Sequence, residues 1–300
     1  MSRNFKAHLA VLAANILYGA NYSIAKLVMP KFIQPMGFIV IRVWVAALLF
    51  ILTTQLFVRE KIARADRLRL FFCAVFGVTI NQLLFFKGLA LTSPIDSGLM
   101  MVTNPIFVLI LSALFLSEVI NAKRVFGIIF GLSGAVLLIL FGHQYSNTGS
   151  SSLLGDLFIL INSLSFAIYI VLVKPLMKKY HPLTIMQVVF CIGAILVLPF
   201  GWKQFTEIEW NTFNHSTWMA TLFVVIGTTF LAYLFNTLAL KELSAGTVSV
   251  YIYLQPLLAA GFAMLLGKDS PNSIHLIAAV LIFFGVYLTI SKNKIALTKG

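Results

Sequence analysis

Ten mostly apolar stretches, each long enough to cross a bilayer as a helix, follow one another at roughly residues 7–29, 35–58, 70–91, 95–116, 125–142, 153–173, 182–201, 217–240, 245–267 and 274–291. A spanning helix needs about 20 such residues, because lipid offers no partner for an unpaired backbone N–H or C=O. Composition agrees: 60% of the 300 residues are hydrophobic and only 10% are charged, where soluble domains carry about 25% charge. No core can absorb that excess, so lipid must be the solvent for most of the surface. The connections are too short for a second folded domain. The expected fold is an all-α membrane protein of ten transmembrane helices.

A net charge of +13 would point to nucleic acid in a soluble protein. Here the basic residues lie in short segments between the apolar runs, so no nucleic-acid partner is expected. With a cytoplasmic N-terminus, sixteen Lys and Arg fall in inside segments, and only Lys31, Lys203 and Lys268 fall outside. That bias fits an even number of spans and places both termini in the cytoplasm. The start, MSRNFKAHLAVLAANILYGA, has the outline of a cleaved signal. Its helical pattern runs on through Tyr22 to Val28, however, so it is expected to remain as the first span. Cys73 and Cys191 both lie in apolar runs; no disulfide, metal site or cofactor is expected.

The two halves of the chain resemble each other. GLALTSPIDSGLMMVTNP (88–105) has the outline of ALKELSAGTVSVYIYLQP (239–256), at an offset of 151. NILYGANYSIAK (15–26) lies over SLSFAIYIVLVK (163–174), and Gly134 corresponds to Gly285. Five spans per repeat is an odd number, so the halves run in opposite senses through the membrane as a five-plus-five inverted repeat. The expected boundaries are 1–142 and 153–300, joined by an external linker at 143–152. Pro105 and Pro256 then kink the fourth and ninth spans near the bilayer midplane, each preceded by an amide, Asn104 or Gln255. Each proline removes one helical hydrogen bond, and the freed carbonyl needs a polar partner or a wet cavity. Matching interrupted helices at the midplane are where inverted-repeat transporters bind substrate.

Polar groups inside spans single out the cavity wall. Asn15, Tyr18 and Tyr22 share one face of the first span, and Asn81 and Gln82 lie at mid-depth in the third. Helical spacing aligns Asn104 with Ser97 and Met101, and Tyr251 and Gln255 with Thr247. Packing explains any one of these stripes alone; four spans together point to a shared cavity. Lys26 and Lys87 lie close enough to helix ends to snorkel. Arg42 lies about two turns inside the second span, near ten ångströms by the helical rise. It either binds backbone carbonyls or attracts an anionic group of a substrate, and the lack of a nameable carboxylate partner favours the first. The nine acidic residues all fall in loops or at helix ends, which favours facilitated transport or exchange over carboxylate-driven proton coupling. Gly127 and Gly131 form GxxxG, which suits a dimer seam or packing inside the monomer. A homodimer is left open but not predicted.

YGANYSIAK in the first span, GLALTSPIDSG leading into the fourth, the mid-span Asn104-Pro105 and Gln255-Pro256, and LSEVINAKRVFG after the fourth resemble the drug/metabolite transporter superfamily. The likeness is to its EamA-type ten-span members and covers the whole chain. It implies export of small metabolites such as amino acids across the plasma (inner) membrane. Tyr18 stands before Gly19 where such proteins usually have Trp, and Ser117-Glu118 and Gly267-Lys268-Asp269 depart from the usual Gly-Glu. The chain has no GxSxG, HExxH or glycine-rich phosphate loop, so an enzyme is not expected. The expected function is a transporter working by alternating access around a midplane cavity, with a small molecule and the lipid bilayer as its partners. The alternative is a channel or regulatory membrane subunit without carrier activity of its own.

Overall fold

A computed structural model describes residues 3–116, 122–141, 152–243, 245–267 and 271–290. Ser117-Glu118, Lys268-Asp269 and nearly all of the predicted linker lie outside the described residues. Among those described, every regular element is helical. Helices α1 (Arg3–Val28) and α2 (Pro35–Phe57) come first. Next, α3 (Arg67–Ala74) passes through a π-helical turn, Val75–Thr79, into α4 (Ile80–Leu91). They are followed by α5 (Pro94–Met101), α6 (Asn104–Leu116) and α7 (Ala122–Phe141). The second half opens with α8 (Leu153–Val173) and α9 (Pro182–Thr206). Then α10 (His215–Leu222) continues through a π-helical stretch, Phe223–Leu231, into α11 (Ala232–Glu242). A 3₁₀ turn at Tyr251–Tyr253 separates α12 (Ala245–Val250) from α13 (Leu254–Leu265), and α14 (Ser273–Ile290) closes the described chain.

Seven helical runs are long and apolar enough to cross a membrane: Pro35–Phe57, Arg64–Leu91, Pro94–Phe115, Leu153–Lys178, Pro182–Thr206, His215–Glu242 and Thr247–Leu265. The other three predicted spans are helical but fall short of that measure. α1 is diluted by Arg3, Lys6 and its buried polar face, while α7 and α14 run 20 and 18 residues of largely apolar sequence, of which Val125–Gly134 and Ser273–Gly285 are apolar stretches among the described residues. Apolar side chains fill the core and also cover the outside. Leu48, Leu52, Leu56 and Phe115 face outward, while Asn15, Asn21, Arg42, Asn81 and Gln82 are buried, as expected where lipid is the solvent.

The packing is nearly unchanged when first-half helices are exchanged for their second-half counterparts. α2 packs along α9, and α7 along α14; α4 lies on α8 as α11 lies on α1, and α6 on α8 as α13 on α1. Details repeat as well. Lys26 Nζ donates to the Thr92 carbonyl at 2.5 Å, just beyond the end of α4. Lys174 Nζ, at the offset position, donates to the Leu240 and Leu243 carbonyls at 2.5 and 2.6 Å at the end of α11. Lys26 is thus a cation on orphaned C-terminal carbonyls, where it also meets the negative end of the helix dipole; the snorkelling expectation is corrected for it. Lys87 is exposed, 5.2 Å over the Phe158 ring. Substituting either cap, Lys26→Met or Lys174→Met, is expected to destabilise by about 1.5–3 kcal/mol, the worth of a hydrogen bond to a charged group. Thermal unfolding of the purified protein checks this, and the two losses should be similar.

Ahead of Pro105 the helix breaks at Val102–Thr103, and ahead of Pro256 it tightens into the 3₁₀ turn. Thr103 Oγ1 takes up the Met100 carbonyl at 2.7 Å. The GxxxG face is filled within the chain: a Cβ on Gly285 of α14 would run into Gly131 N and Gly127 O of α7.

Candidate substrate cavity

Helices α1, α2, α4, α5, α8, α11 and α13 surround a cavity between the two halves. Its free volume is about 60 Å³, counted as space for the centres of water molecules, which is room for a few waters and too little for a metabolite. Of the predicted site residues, Tyr18, Tyr22, Arg42, Asn81, Gln82 and Gln255 line it, joined by Asn21, Asn162, Tyr233, Met101, Phe85, Phe86 and Phe166.

Two polar networks frame the space. Tyr22 Oη donates to Gln255 Oε1 at 2.7 Å, Gln255 Nε2 donates to Asn15 Oδ1 at 2.8 Å, and Asn15 Nδ2 donates to the Val11 carbonyl at 2.8 Å. Asn15 therefore stands behind Gln255 and positions it. On the other side, Gln82 Nε2 donates to Tyr233 Oη at 2.6 Å. Tyr233 Oη lies 2.8 Å from Asn81 Oδ1 and 3.2 Å from the Gly77 carbonyl. Asn162 Nδ2 donates to the Asn81 carbonyl at 2.6 Å. The π-helical turn makes this network possible: its wider ring leaves carbonyls without a partner four residues on, and Ser165 Oγ takes the one at Phe76 (2.7 Å). In the other half, Val224 O accepts from both Thr228 Oγ1 and Thr229 Oγ1 at 2.8 Å.

Arg42 is 2% exposed. Its Nε donates to Thr229 Oγ1 at 2.7 Å and its Nη2 reaches Thr228 Oγ1 at 3.4 Å, with the guanidinium 4.0 Å over the Phe86 ring. The partners are hydroxyls rather than the backbone carbonyls expected. Nη1 has no partner, and among the described residues no carboxylate pairs with this arginine. Tyr18 Oη, Gln82 Oε1 and Asn162 Oδ1 are likewise unpartnered. One wall thus presents spare donors and the other spare acceptors, between aromatic surfaces.

Two predicted lining residues lie elsewhere. Asn104 Nδ2 donates to the Ser163 carbonyl at 2.8 Å, tying α6 to α8, and Tyr251 Oη is 2.8 Å from His8 Nδ1 toward the other end of α1. The spacing argument assumed one continuous helix; the breaks at 102–103 and 251–253 rotate these side chains away. Tyr233 and Asn162 were missed, yet both had signals. Tyr233 lies 151 residues from Gln82, the repeat offset itself, and Asn162 is an amide in the middle of a span.

The long apolar helices, with polar side chains gathered around a pocket between them, define a multi-pass helical membrane protein. The chain belongs to the EamA-like transporter family, whose model matches residues 5–140 and again 153–291. It is 26% identical over 286 residues to YyaM of Bacillus subtilis, called an uncharacterized transporter, covering 95% of this chain and 93% of that protein. An uncharacterized transporter of Archaeoglobus fulgidus is 27% identical over 294 residues, covering 97% and 99%. A WAT1-related protein of Arabidopsis thaliana is 23% identical over 310 residues, covering 95% and 82%. A solved crystal structure shares the fold with TM-score 0.66 at 18% identity, covering 96% of this chain and 98% of that one.

Proposed function

We propose that this chain is a carrier that exports small metabolites bearing an anionic group, amino acids among them, by alternating access around the cavity between its halves. The ten helical spans work as an inverted five-plus-five repeat, residues 1–142 and 153–300 with 143–152 as the external linker, in the plasma membrane with both termini cytoplasmic. The reading rests on one observation above the rest: Arg42 is buried beside the cavity with Nη1 unpartnered and, among the described residues, no carboxylate of its own. A buried guanidinium left half-satisfied is costly, and a substrate carboxylate supplies what is lacking. Tyr18 Oη is a second donor for it, while Gln82 Oε1 and Asn162 Oδ1 offer acceptors to an amine at the other end. Phe85, Phe86 and Phe166 take the apolar part. The present cavity is the closed form and must widen to admit a ligand. The packing pairs that persist when the halves are exchanged support two interchangeable openings, and the charge bias supports the orientation.

The test is counterflow in proteoliposomes with labelled amino acids and nucleobases, comparing the wild type with Gln255→Ala and Asn104→Ala. Gln255→Ala removes a lining amide and strands Tyr22 and Asn15, and roughly a tenfold or greater loss of exchange is expected. Asn104→Ala removes an interhelical bond away from the cavity. It should lower stability by about 1–3 kcal/mol with little change in affinity. Exchange untouched by Gln255→Ala would overturn this site, and no saturable exchange of any panel member would overturn the carrier reading.

A further inference from the structure

Apart from the cavity between the halves, a groove runs between α3 and α9, beside the segment 58–63 that follows α2. Its free volume, counted as for the cavity, is about 580 Å³. Lys61, Arg67 and Gln187 line it together with Leu70, Val188 and Ile192. These side chains are graded along the helices. Arg67 is the first residue of α3, and Lys61 precedes that helix. Leu70 lies about one turn further into α3, and Val188 and Ile192 lie about two and three turns into α9. Ile195, seven residues on from Val188, continues the same face of α9 and is exposed. The groove is therefore cationic where the helices begin and apolar where they run on.

The acids nearby are already engaged. Glu60, which also lines the groove, accepts at Oε2 from the His181 N–H and from Thr184 Oγ1, both at 2.8 Å. His181 caps the start of α9, and a carboxylate is favoured there by the helix dipole. Asp66 is paired with Lys179 Nζ at 2.9 Å and accepts from Tyr180 Oη at 2.8 Å. The Ala63 N–H donates to the same Tyr180 Oη at 3.1 Å. Both acids thus tie the segment to the second half of the chain. Among the described residues, neither Lys61 nor Arg67 has an ion pair. The positive-inside bias accounts for cations in this loop. It does not account for two of them lining a groove whose wall turns apolar within a few turns of helix.

We propose that this groove binds one anionic phospholipid, its phosphate held by Lys61 and Arg67 and an acyl chain lying along Val188, Ile192 and Ile195. Arg67 offers a fork to two phosphate oxygens and Lys61 a point charge. Gln187 lies beside Val188, where its amide can donate to the ester oxygens below the headgroup. A soluble anion would use the cations and leave the apolar wall wet. An apolar helix docked here would cover that wall but bury two unpaired cations. A lipid meets both ends at once, and basic pockets between membrane helices on the cytoplasmic side suit such headgroups. The leaflet follows from the orientation proposed above; the binding itself does not depend on it. Because α3 belongs to the first half and α9 to the second, the bound lipid bridges the two.

The test is native mass spectrometry of the full-length protein in detergent, titrated with phosphatidylglycerol, with phosphatidylcholine of the same chains, or with glycerol phosphate. No transport is measured, so the result is separate from the carrier reading. One phosphatidylglycerol should bind at least about tenfold more tightly than phosphatidylcholine, as expected for two cations near a headgroup. Glycerol phosphate at the same concentration should not displace it. Lys61→Gln combined with Arg67→Gln should weaken phosphatidylglycerol by about tenfold to thirtyfold and leave phosphatidylcholine unchanged. Arg59→Gln combined with Arg64→Gln removes the same charge from the same segment outside the groove, and should cost about threefold or less. All four side chains are exposed, so both double variants should unfold at the wild-type temperature. Equal affinity for the two phospholipids, or equal losses from the two pairs of substitutions, would overturn the lipid site. Displacement by glycerol phosphate would overturn it as well, and would leave a site for a soluble anion.

Discussion

Arg42→Met should abolish high-affinity substrate binding while leaving the protein as stable as before, or more so. A structural arginine predicts the reverse, so this variant separates the two roles open to it. The guanidinium is buried with three donor groups and only two hydroxyl partners, Thr229 and Thr228. Neither hydroxyl needs it, since both also donate to the Val224 carbonyl. Replacing a half-paired buried charge with an apolar side chain of similar length is often neutral or stabilising. Losing one side of a buried charge pair with a ligand, by contrast, costs about 2–5 kcal/mol, or at least about thirtyfold in affinity. Arg42→Lys keeps the charge but not the fork or the stacking on Phe86, and should fall between the two. Substrate binding and thermal unfolding measured on the same preparations decide it. A lower unfolding temperature with affinity intact would return Arg42 to the scaffold and remove the anion from the proposed substrate.

The helices were legible because the bilayer imposes a length on each, and predicted span ends such as 35–58 and 153–173 lie within a residue of α2 and α8. The repeat offset was legible too, in Pro105 with Pro256 and Gly134 with Gly285. Side-chain direction was less so wherever helical phase is interrupted. Counting 100° per residue from Met101 to Asn104 crosses a break, and from Thr247 to Gln255 it crosses a 3₁₀ turn, so Asn104 and Tyr251 were assigned to a wall they do not form. The π-helical stretches are equally silent in sequence, although they supply the carbonyls that Ser165, Thr228 and Thr229 use. Burial at helix ends was the other blind spot. Asp96 and Asp156 read as acids at helix ends, where their complete burial was not expected. The preference for facilitated transport or exchange rested on the acids lying at helix ends, and Asp96 and Asp156 do stand in the first turns of α5 and α8; their burial is what the sequence did not reveal.

The second large effect concerns the outermost helix pair. Gly285→Leu should prevent α14 from docking on α7, lowering the unfolding temperature sharply or leaving no folded protein. A Cβ at Gly285 would meet Gly131 N and Gly127 O, with Gly131 Cα at 2.8 Å, so backbone stands in its way and no rotamer change relieves it. The counterpart position is equally tight: a Cβ at Gly134 would lie 2.7 Å from Ile282 Cγ1 and 2.9 Å from the Ala278 carbonyl. Between helices in lipid there is little hydrophobic drive to hold a poorly fitting pair together, because lipid tails replace the lost contacts; close packing of small residues is the attraction. Overpacking alone costs about 1–3 kcal/mol, and here the contact it removes is the one that holds the pair. Gly285→Ala should show a smaller loss of the same sign. Gly261→Ala is the control, since nothing lies within 4 Å of its Cβ position and alanine is the better helix former by about 1 kcal/mol. The Gly285→Ala protein that does fold should bind substrate with unchanged affinity, because among the described residues none of α7 or α14 lines the cavity. If Gly285→Leu and Gly261→Ala unfold at the same temperature as the wild type, the close α7–α14 contact is not what holds that pair in place.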